Sequence, residues 1–299
     1  MILGFATLMS RILLASSCAL LVSVFFGCAK PTIAVNQLET VSVSEKAEPL
    51  ASAPAPRFAD EPTRSAMKHT LAAGKPITVI NEFGEVRIRF GGFANVLEAT
   101  AVAQAPIGSL MPIMQFDEMS ATLTAKLPPI GLGDSGAAPL AEGQRIDITL
   151  FVPEKHDLAI RTLRGLVEAR GVRASVQIRS ESGDILVRGI TGALDLETGS
   201  GLIEAAFADQ AISAAQRVVT STGAISVSFG PEYDASLNLA TSGLFATEYS
   251  LTVTPQLGSE PNKSASVTLG RGVNPIEIRS KRGDVRLFRR LSFQNADSP

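Results

Sequence analysis

The sequence predicts an all-β chain folded as a single-domain parallel β-helix or β-solenoid with coils of about 18–22 residues. Three observations carry that prediction. A glycine stands seven times between short stretches of alternating apolar and polar residues, at Gly84, Gly165, Gly183, Gly201, Gly223, Gly243 and Gly283. Three of these glycines, Gly165, Gly183 and Gly201, are spaced 18 residues apart. In five copies a serine or threonine (Thr162, Ser180, Thr198, Thr220, Ser280) stands three residues before the glycine. Period-two alternation puts one face inward and the other in water, so each copy reads as strand, turn, strand. One copy cannot bury its apolar face alone, whereas stacked copies bury a continuous column.

The copies run from Ile77 through Gly84 to Ile88, then from Leu158 through the glycines at 165, 183, 201 and 223, and end with Ile276 to Leu287 around Gly283. A sharp corner in every coil predicts glycines that adopt positive φ, with the preceding hydroxyl bonding the corner backbone. At Gly243 the pattern is off by one, with Leu237 and Leu239 shifted, which predicts a bulge. Inward positions of adjacent copies place Ile178, Ile185, Val187, Leu194, Leu196 and Ile203 in one core. Strands are also expected over 95–104, 119–127 and 145–152, as irregular first coils, with an exposed Pro/Gly loop over 128–143. Residues 252–272 fit one further coil without its glycine. No stretch has helical periodicity.

The N-terminus reads differently. Arg11 precedes an apolar run, Ile12 to Phe26, that ends at Gly27-Cys28. This is shorter than a membrane span of about 20 apolar residues and reads as a secretory signal peptide over 1–27. Val24-Phe25-Phe26-Gly27-Cys28 resembles the lipobox of bacterial lipoproteins, with Phe25 where leucine is usual. The resemblance implies that Cys28 is the lipid-attachment residue and the mature N-terminus. The chain would then be exported and anchored in the cell envelope, and Ala29 in the next position points to the outer membrane. Residues 28–67 are rich in Ala, Pro, Ser and Thr and read as a flexible tether that spans about 35 Å as a random coil. The solenoid domain is expected over 68–290 and a disordered tail over 291–299. Cys18 and Cys28 are the only cysteines, so the exported domain has no disulfide.

The run Ile146-Asp-Ile-Thr-Leu-Phe-Val-Pro153, followed by Leu158-Ala-Ile-Arg-Thr and repeated Ser/Thr-x-x-Gly-Asp-Ile/Val, resembles the bacterial putative-adhesin β-strand-repeat family, related to autotransporter-adhesin-head-like domains. The resemblance implies a right-handed solenoid in the envelope and brings no catalytic residues.

Chemistry is sparse. The formal net charge is −2, and no nucleic-acid, nucleotide, metal or cofactor motif appears. His69 and His156 are the only histidines and read as surface residues. A carbohydrate-active β-helix enzyme would need paired carboxylates, and Asp184, Asp195, Glu197 and Glu204 are the candidates. The register instead places Asp195 beside Arg217 and Glu197 beside Arg179, which favours ion-paired ladders. The chain has no Trp and two Tyr, so the aromatic platforms that grip sugar rings are scarce. The strongest positive feature is basic: Arg161 stacks beside Arg179 and Arg170 beside Arg188, which makes these four the candidate anion-binding residues. Lys281, Arg282, Arg286, Arg289 and Arg290 are expected to form the polar cap of a terminal coil. The resulting expectation is a non-catalytic, lipid-anchored, adhesin-like binding or structural module. It would contact the membrane through its anchor and take an anionic glycan, a glycolipid or an envelope protein as partner. A periplasmic partner of an envelope-stress signalling system is a further alternative to the enzyme.

Overall fold

Alternation becomes strands, and stacking of strands becomes two sheets. The computed structural model describes residues 57–58, 61–92, 95–127, 142–207 and 214–290. The signal peptide, Cys28, most of the tether, most of the 128–143 loop and the 291–299 tail lie outside the described residues. In chain order the strands are β1 (Thr63–Thr70), β2 (Ile77–Phe83), β3 (Val86–Phe90), β4 (Val96–Gln104), β5 (Ile113–Asp117), β6 (Thr122–Lys126) and β7 (Arg145–Val152). The repeats continue through β8 (Leu158–Arg164), β9 (Val167–Arg170), β10 (Val176–Ser180), β11 (Ile185–Arg188), β12 (Leu194–Thr198), β13 (Ile203–Ala206), β14 (Gln216–Thr220) and β15 (Ile225–Phe229). The last are β16 (Ala235–Thr241), β17 (Phe245–Thr247), β18 (Thr252–Pro255), β19 (Lys263–Leu269), β20 (Asn274–Ser280) and β21 (Val285–Arg289).

Each copy contributes its first strand to one sheet and its second to the other. The first sheet has the order β18-β19-β16-β20-β14-β12-β10-β8-β2-β6-β5, and the second β1-β4-β7-β3-β9-β11-β13-β15-β21-β17. Repeat strands pair in parallel in the predicted register, with Val176 opposite both Leu158 and Leu194, and Ile185 opposite both Val167 and Ile203. Ile178, Ile185, Val187, Leu194, Leu196 and Ile203 are all buried in one core between the sheets. Each such side chain contributes about 1.5–3 kcal/mol by leaving water. The core is therefore a column of aliphatic layers, extended by the stacked rings of Phe207 and Phe229, 5.0 Å apart, under Tyr233.

The corners show why glycine recurs, and the reason differs from the expected one. Only Gly84 and Gly165 of the seven have positive φ, at 119° and 110°. At the others, close approach decides. A Cβ on Gly183 would lie 1.9 Å from the carbonyl oxygen of Gly165, one on Gly201 2.0 Å from that of Gly183, and one on Gly223 1.8 Å from that of Gly201. Beside the glycines runs a column of hydroxyls. Thr198 Oγ1 accepts from the Gly201 N–H at 3.2 Å and donates to the Gly183 carbonyl of the previous coil at 3.0 Å, and Ser280 links Gly283 to Gly223 in the same way at 2.8 and 2.9 Å. The aspartate after the glycine adds a third link, because Asp184 Oδ1 accepts from Leu202 N–H at 2.8 Å.

The order of the coils departs from the order of the sequence at both ends. The Gly283 copy inserts between the Gly223 and Gly243 copies, since β20 pairs with both β14 and β16 and β21 with both β15 and β17. Lys281, Arg282, Arg286, Arg289 and Arg290 thus belong to an interior coil and are not a terminal cap. Arg282 pairs with Glu260, Arg286 with Asp284, and Arg289 stacks over Tyr249. Residues 252–272 do not add a coil either. They form β18 and β19, which run antiparallel to one another, with β19 antiparallel along β16. At the other end β7 pairs in parallel with β3 and antiparallel with β4, and β1 closes this edge antiparallel to β4. Strand β1 starts at Thr63, inside the expected tether. The shift at Gly243 produces no bulge, because β16 keeps register with β20 from Ala235 to Ala240. The missing residue is taken from the corner, where Thr241, two residues before the glycine, accepts from Gly243 N–H.

Candidate functional site

The two sheets present their outward side chains on different faces, and this separates the candidate arginines. Arg161 and Arg179 are register partners on β8 and β10 of the first sheet, whereas Arg170 and Arg188 are partners on β9 and β11 of the second. The structure brings each pair together but does not join them in one four-arginine site. Three of the four are also occupied. Arg179 makes a two-point contact with Asp195 and reaches Glu197 at 3.4 Å, Arg188 holds Glu204 at 2.6 Å, and Arg170 holds Glu168. Arg161 is exposed and has no carboxylate partner among the described residues.

The candidate carboxylates are equally committed. Asp195 lies between Arg179 and Arg217 and accepts from Gln177 at 3.0 Å. Burial pushes its carboxyl up, but the hydrogen bonds from Arg179 and Gln177 outweigh burial and hold it below the usual carboxylate range. Glu197 pairs with Arg217 at 2.7 Å. Asp184 serves the corner ladder, as described above. On the second sheet Glu168, buried between Arg89 and Arg170, behaves like Asp195: burial raises it, and its two arginines lower it further. The sequence places Glu168 near these arginines as an internal neutraliser, and the repeat register sets it opposite Arg87, but its contact with Arg89, one strand over and two residues along, was not readable from that register.

Neither histidine is a plain surface residue. His156 is completely buried, with Nδ1 2.8 Å from the Lys75 carbonyl and Nε2 3.1 Å from Asn95 Oδ1. It ties the turns before β2, β4 and β8 together, a contact made across distant segments that no local pattern announces. His69 stacks on Phe116 with centroids 4.2 Å apart and faces Glu118. Among the described residues no group of three or more His, Cys, Asp or Glu is placed to hold a metal ion, and no helix is long and apolar enough to cross a membrane.

An open groove of about 610 Å³ runs along the corner edge of β2, β8, β10 and β12. Its lining includes Arg161, Arg179, Glu82, Leu163 and Glu181, together with the buried Asn81. Asn81 replaces the hydroxyl of the other corners. Its amide donates to the Ile146 carbonyl at 3.0 Å, and its buried Oδ1 has no partner among the described residues. The hydroxyl column is interrupted in the next coil too, where Thr162 donates to the Arg164 carbonyl instead of to the preceding glycine. These are the two coils whose glycines have positive φ.

A stacked two-sheet β-repeat with an ion-paired exterior is the class of domain these features define. Residues 144–287 match the family model described as Toastrack DUF4097. Among solved structures the chain is similar to a putative cell adhesion protein from Clostridium sporogenes, 12% identical over 77% of this chain and 100% of that one, with a TM-score of 0.43. It is also similar to a putative adhesin from Bacteroides fragilis, 10% identical over 76% and 97% with a TM-score of 0.28, and to one from Parabacteroides distasonis, 9% identical over 77% and 98% with a TM-score of 0.28. A search of curated proteins finds no match.

Proposed function

We propose that this protein is a non-catalytic binding or structural module of the cell envelope, held to the membrane by a lipid on Cys28. The observation that carries the non-catalytic reading is the commitment of the candidate carboxylates. General acid catalysis needs a carboxyl held above its ordinary pKa and within reach of substrate. Asp195 moves in the opposite direction, under arginine and glutamine hydrogen bonds, and Asp184 is spent on a backbone N–H. Glu197 and Glu204 are bound to arginines. A surface so internally neutralised suits recognition of a partner more than turnover.

The anchoring part rests on the lipobox-like run before Cys28 and on the Ala/Pro-rich segment after it, which would carry the solenoid clear of the bilayer. Mass spectrometry of the mature protein tests it: a diacylated Cys28 at the N-terminus is expected, and Cys28→Ala should leave the membrane fraction. An unmodified Cys28, or a Cys28→Ala form that still partitions with membranes, overturns the anchor. Polysaccharide cleavage that disappears on Asp184→Asn or Asp195→Asn overturns the non-catalytic reading.

A further inference from the structure

Building on that binding-module reading, we infer that the groove over β2, β8 and β10 binds an anionic saccharide, with the carboxylate of a uronate-type residue seated on Arg161. Three features converge there. Arg161 supplies an exposed guanidinium that no carboxylate of the described residues neutralises, in contrast to Arg170, Arg179 and Arg188. Its planar fork matches a carboxylate in two-point geometry. In the same groove, Glu82 and Glu181 line the surface without any cation on them among the described residues. The buried Asn81, which also lines the groove, has an Oδ1 that lacks a donor among the described residues, next to the coil where Thr162 interrupts the hydroxyl column.

Charge selects the ligand class. Arg161 and Arg179 set two positive charges against three negative ones on Glu82, Glu181 and Glu197, all lining the same groove. A densely anionic partner, such as a phosphate backbone or an anionic bilayer, meets net repulsion there. An acidic saccharide meets the same repulsion but offsets it with many hydroxyl donors, which a phosphate backbone or an anionic bilayer does not supply. Its carboxylate satisfies Arg161, and its hydroxyls donate to Glu82 and Glu181, which as ionised carboxylates can only accept. The side chain of Leu163, 39% exposed, offers the apolar surface that the C–H face of a sugar ring covers. Successive rungs rise by about 4.8 Å, close to the rise of one ring along an extended pyranose chain, so neighbouring rungs can meet neighbouring rings.

The test uses the full-length protein in neutral detergent, titrated calorimetrically with oligogalacturonate and oligoalginate. These present the carboxylate on differently configured rings. Fully methyl-esterified oligogalacturonate provides the same rings without charge. Binding to at least one acidic oligosaccharide is expected, weakening with salt, and Arg161→Gln should weaken it about tenfold or more, the worth of one charge-assisted contact. Arg64→Gln, an exposed change on β1, should leave it unaltered. The inference is overturned by silence towards both acids, by equal binding of the methyl ester, by indifference to Arg161→Gln, or by Arg161-dependent binding to anionic vesicles in place of the saccharides. The lipid on Cys28 is read by mass spectrometry in the same samples. A lipidated chain that ignores both acids removes the ligand assignment alone, whereas an unlipidated one removes the anchor.

Discussion

Replacing Gly201 with alanine tests why the corners are glycine. Its φ is not in the left-handed region, so alanine meets no backbone strain there. The obstacle is the neighbouring coil: the added Cβ would lie 2.0 Å from the Gly183 carbonyl oxygen and 2.5 Å from its carbon. Reaching even a tight contact requires the two coils to part by about 1 Å or more at this corner. That movement pulls on two bonds crossing the same gap, Thr198 Oγ1 to the Gly183 carbonyl at 3.0 Å and Leu202 N–H to Asp184 Oδ1 at 2.8 Å. Overpacking costs about 1–3 kcal/mol, and each lost bond about 1 kcal/mol, so Gly201→Ala should destabilise by about 3–5 kcal/mol. This is a large part of the 5–15 kcal/mol that typically holds a domain together. Gly74→Ala is the counterpart: φ is +70°, no atom lies within 4 Å of the added Cβ, and the cost should be about 1–2 kcal/mol, from backbone conformation alone. Urea unfolding followed by far-ultraviolet circular dichroism measures both, since the chain has no Trp to report by fluorescence. Because each coil leans only on its neighbours, the Gly201→Ala transition should also broaden or split into two. A Gly201→Ala chain no less stable than Gly74→Ala would refute the close-approach account and restore a conformational one.

Ile185→Asp places an unpaired charge in the completely buried aliphatic column and should abolish cooperative folding; a soluble variant of unchanged thermal stability would sink the stacked-coil core. Asp195 and Glu168 titrate below their ordinary values of 3.8 and 4.5 in the folded chain, so the stability they contribute is complete above those values and drains away as pH falls through the lower folded-state values. Asp195→Asn should therefore flatten the acid limb of the stability curve while costing about 1 kcal/mol or less at neutral pH, because the pairs are partly exposed; an unchanged acid limb counts against the ladder. Arg170→Gln with Arg188→Gln alters only the second sheet and should leave any ligand of the Arg161 groove bound with wild-type affinity, as measured by the same calorimetric titration.

The Glu168 cluster and the Arg161 groove mark how far local pattern reaches. Strand boundaries, inward positions and cross-coil partners were legible because they follow from period two and the 18-residue spacing; the pairing of Asp195 with Arg217 and of Glu197 with Arg179 came out as the alignment required. The hydroxyls of Ser180, Thr198, Thr220 and Ser280 were legible as corner bonds, but the second bond that Thr198 and Ser280 make to the previous coil was not, because that partner is remote in sequence. The burial of His156 was likewise unreadable, since Lys75 and Asn95 reach it across 81 and 61 residues.

The sequence by itself determined the local unit: a strand, a glycine corner and a strand whose apolar face demands a neighbour on each side. Only the tertiary structure decided which neighbour. All coils offer similar aliphatic layers and similar corner carbonyls, so nothing within the Gly283 copy says that it should slide between the Gly223 and Gly243 copies. The same choice of neighbours places Arg161 where Arg179 is already bound to Asp195 and Glu197, leaving one guanidinium of the four without an anion among the described residues. Strand alternation is a property of a few consecutive residues, whereas the order of equivalent coils and the balance of charge across them are properties of the whole stack.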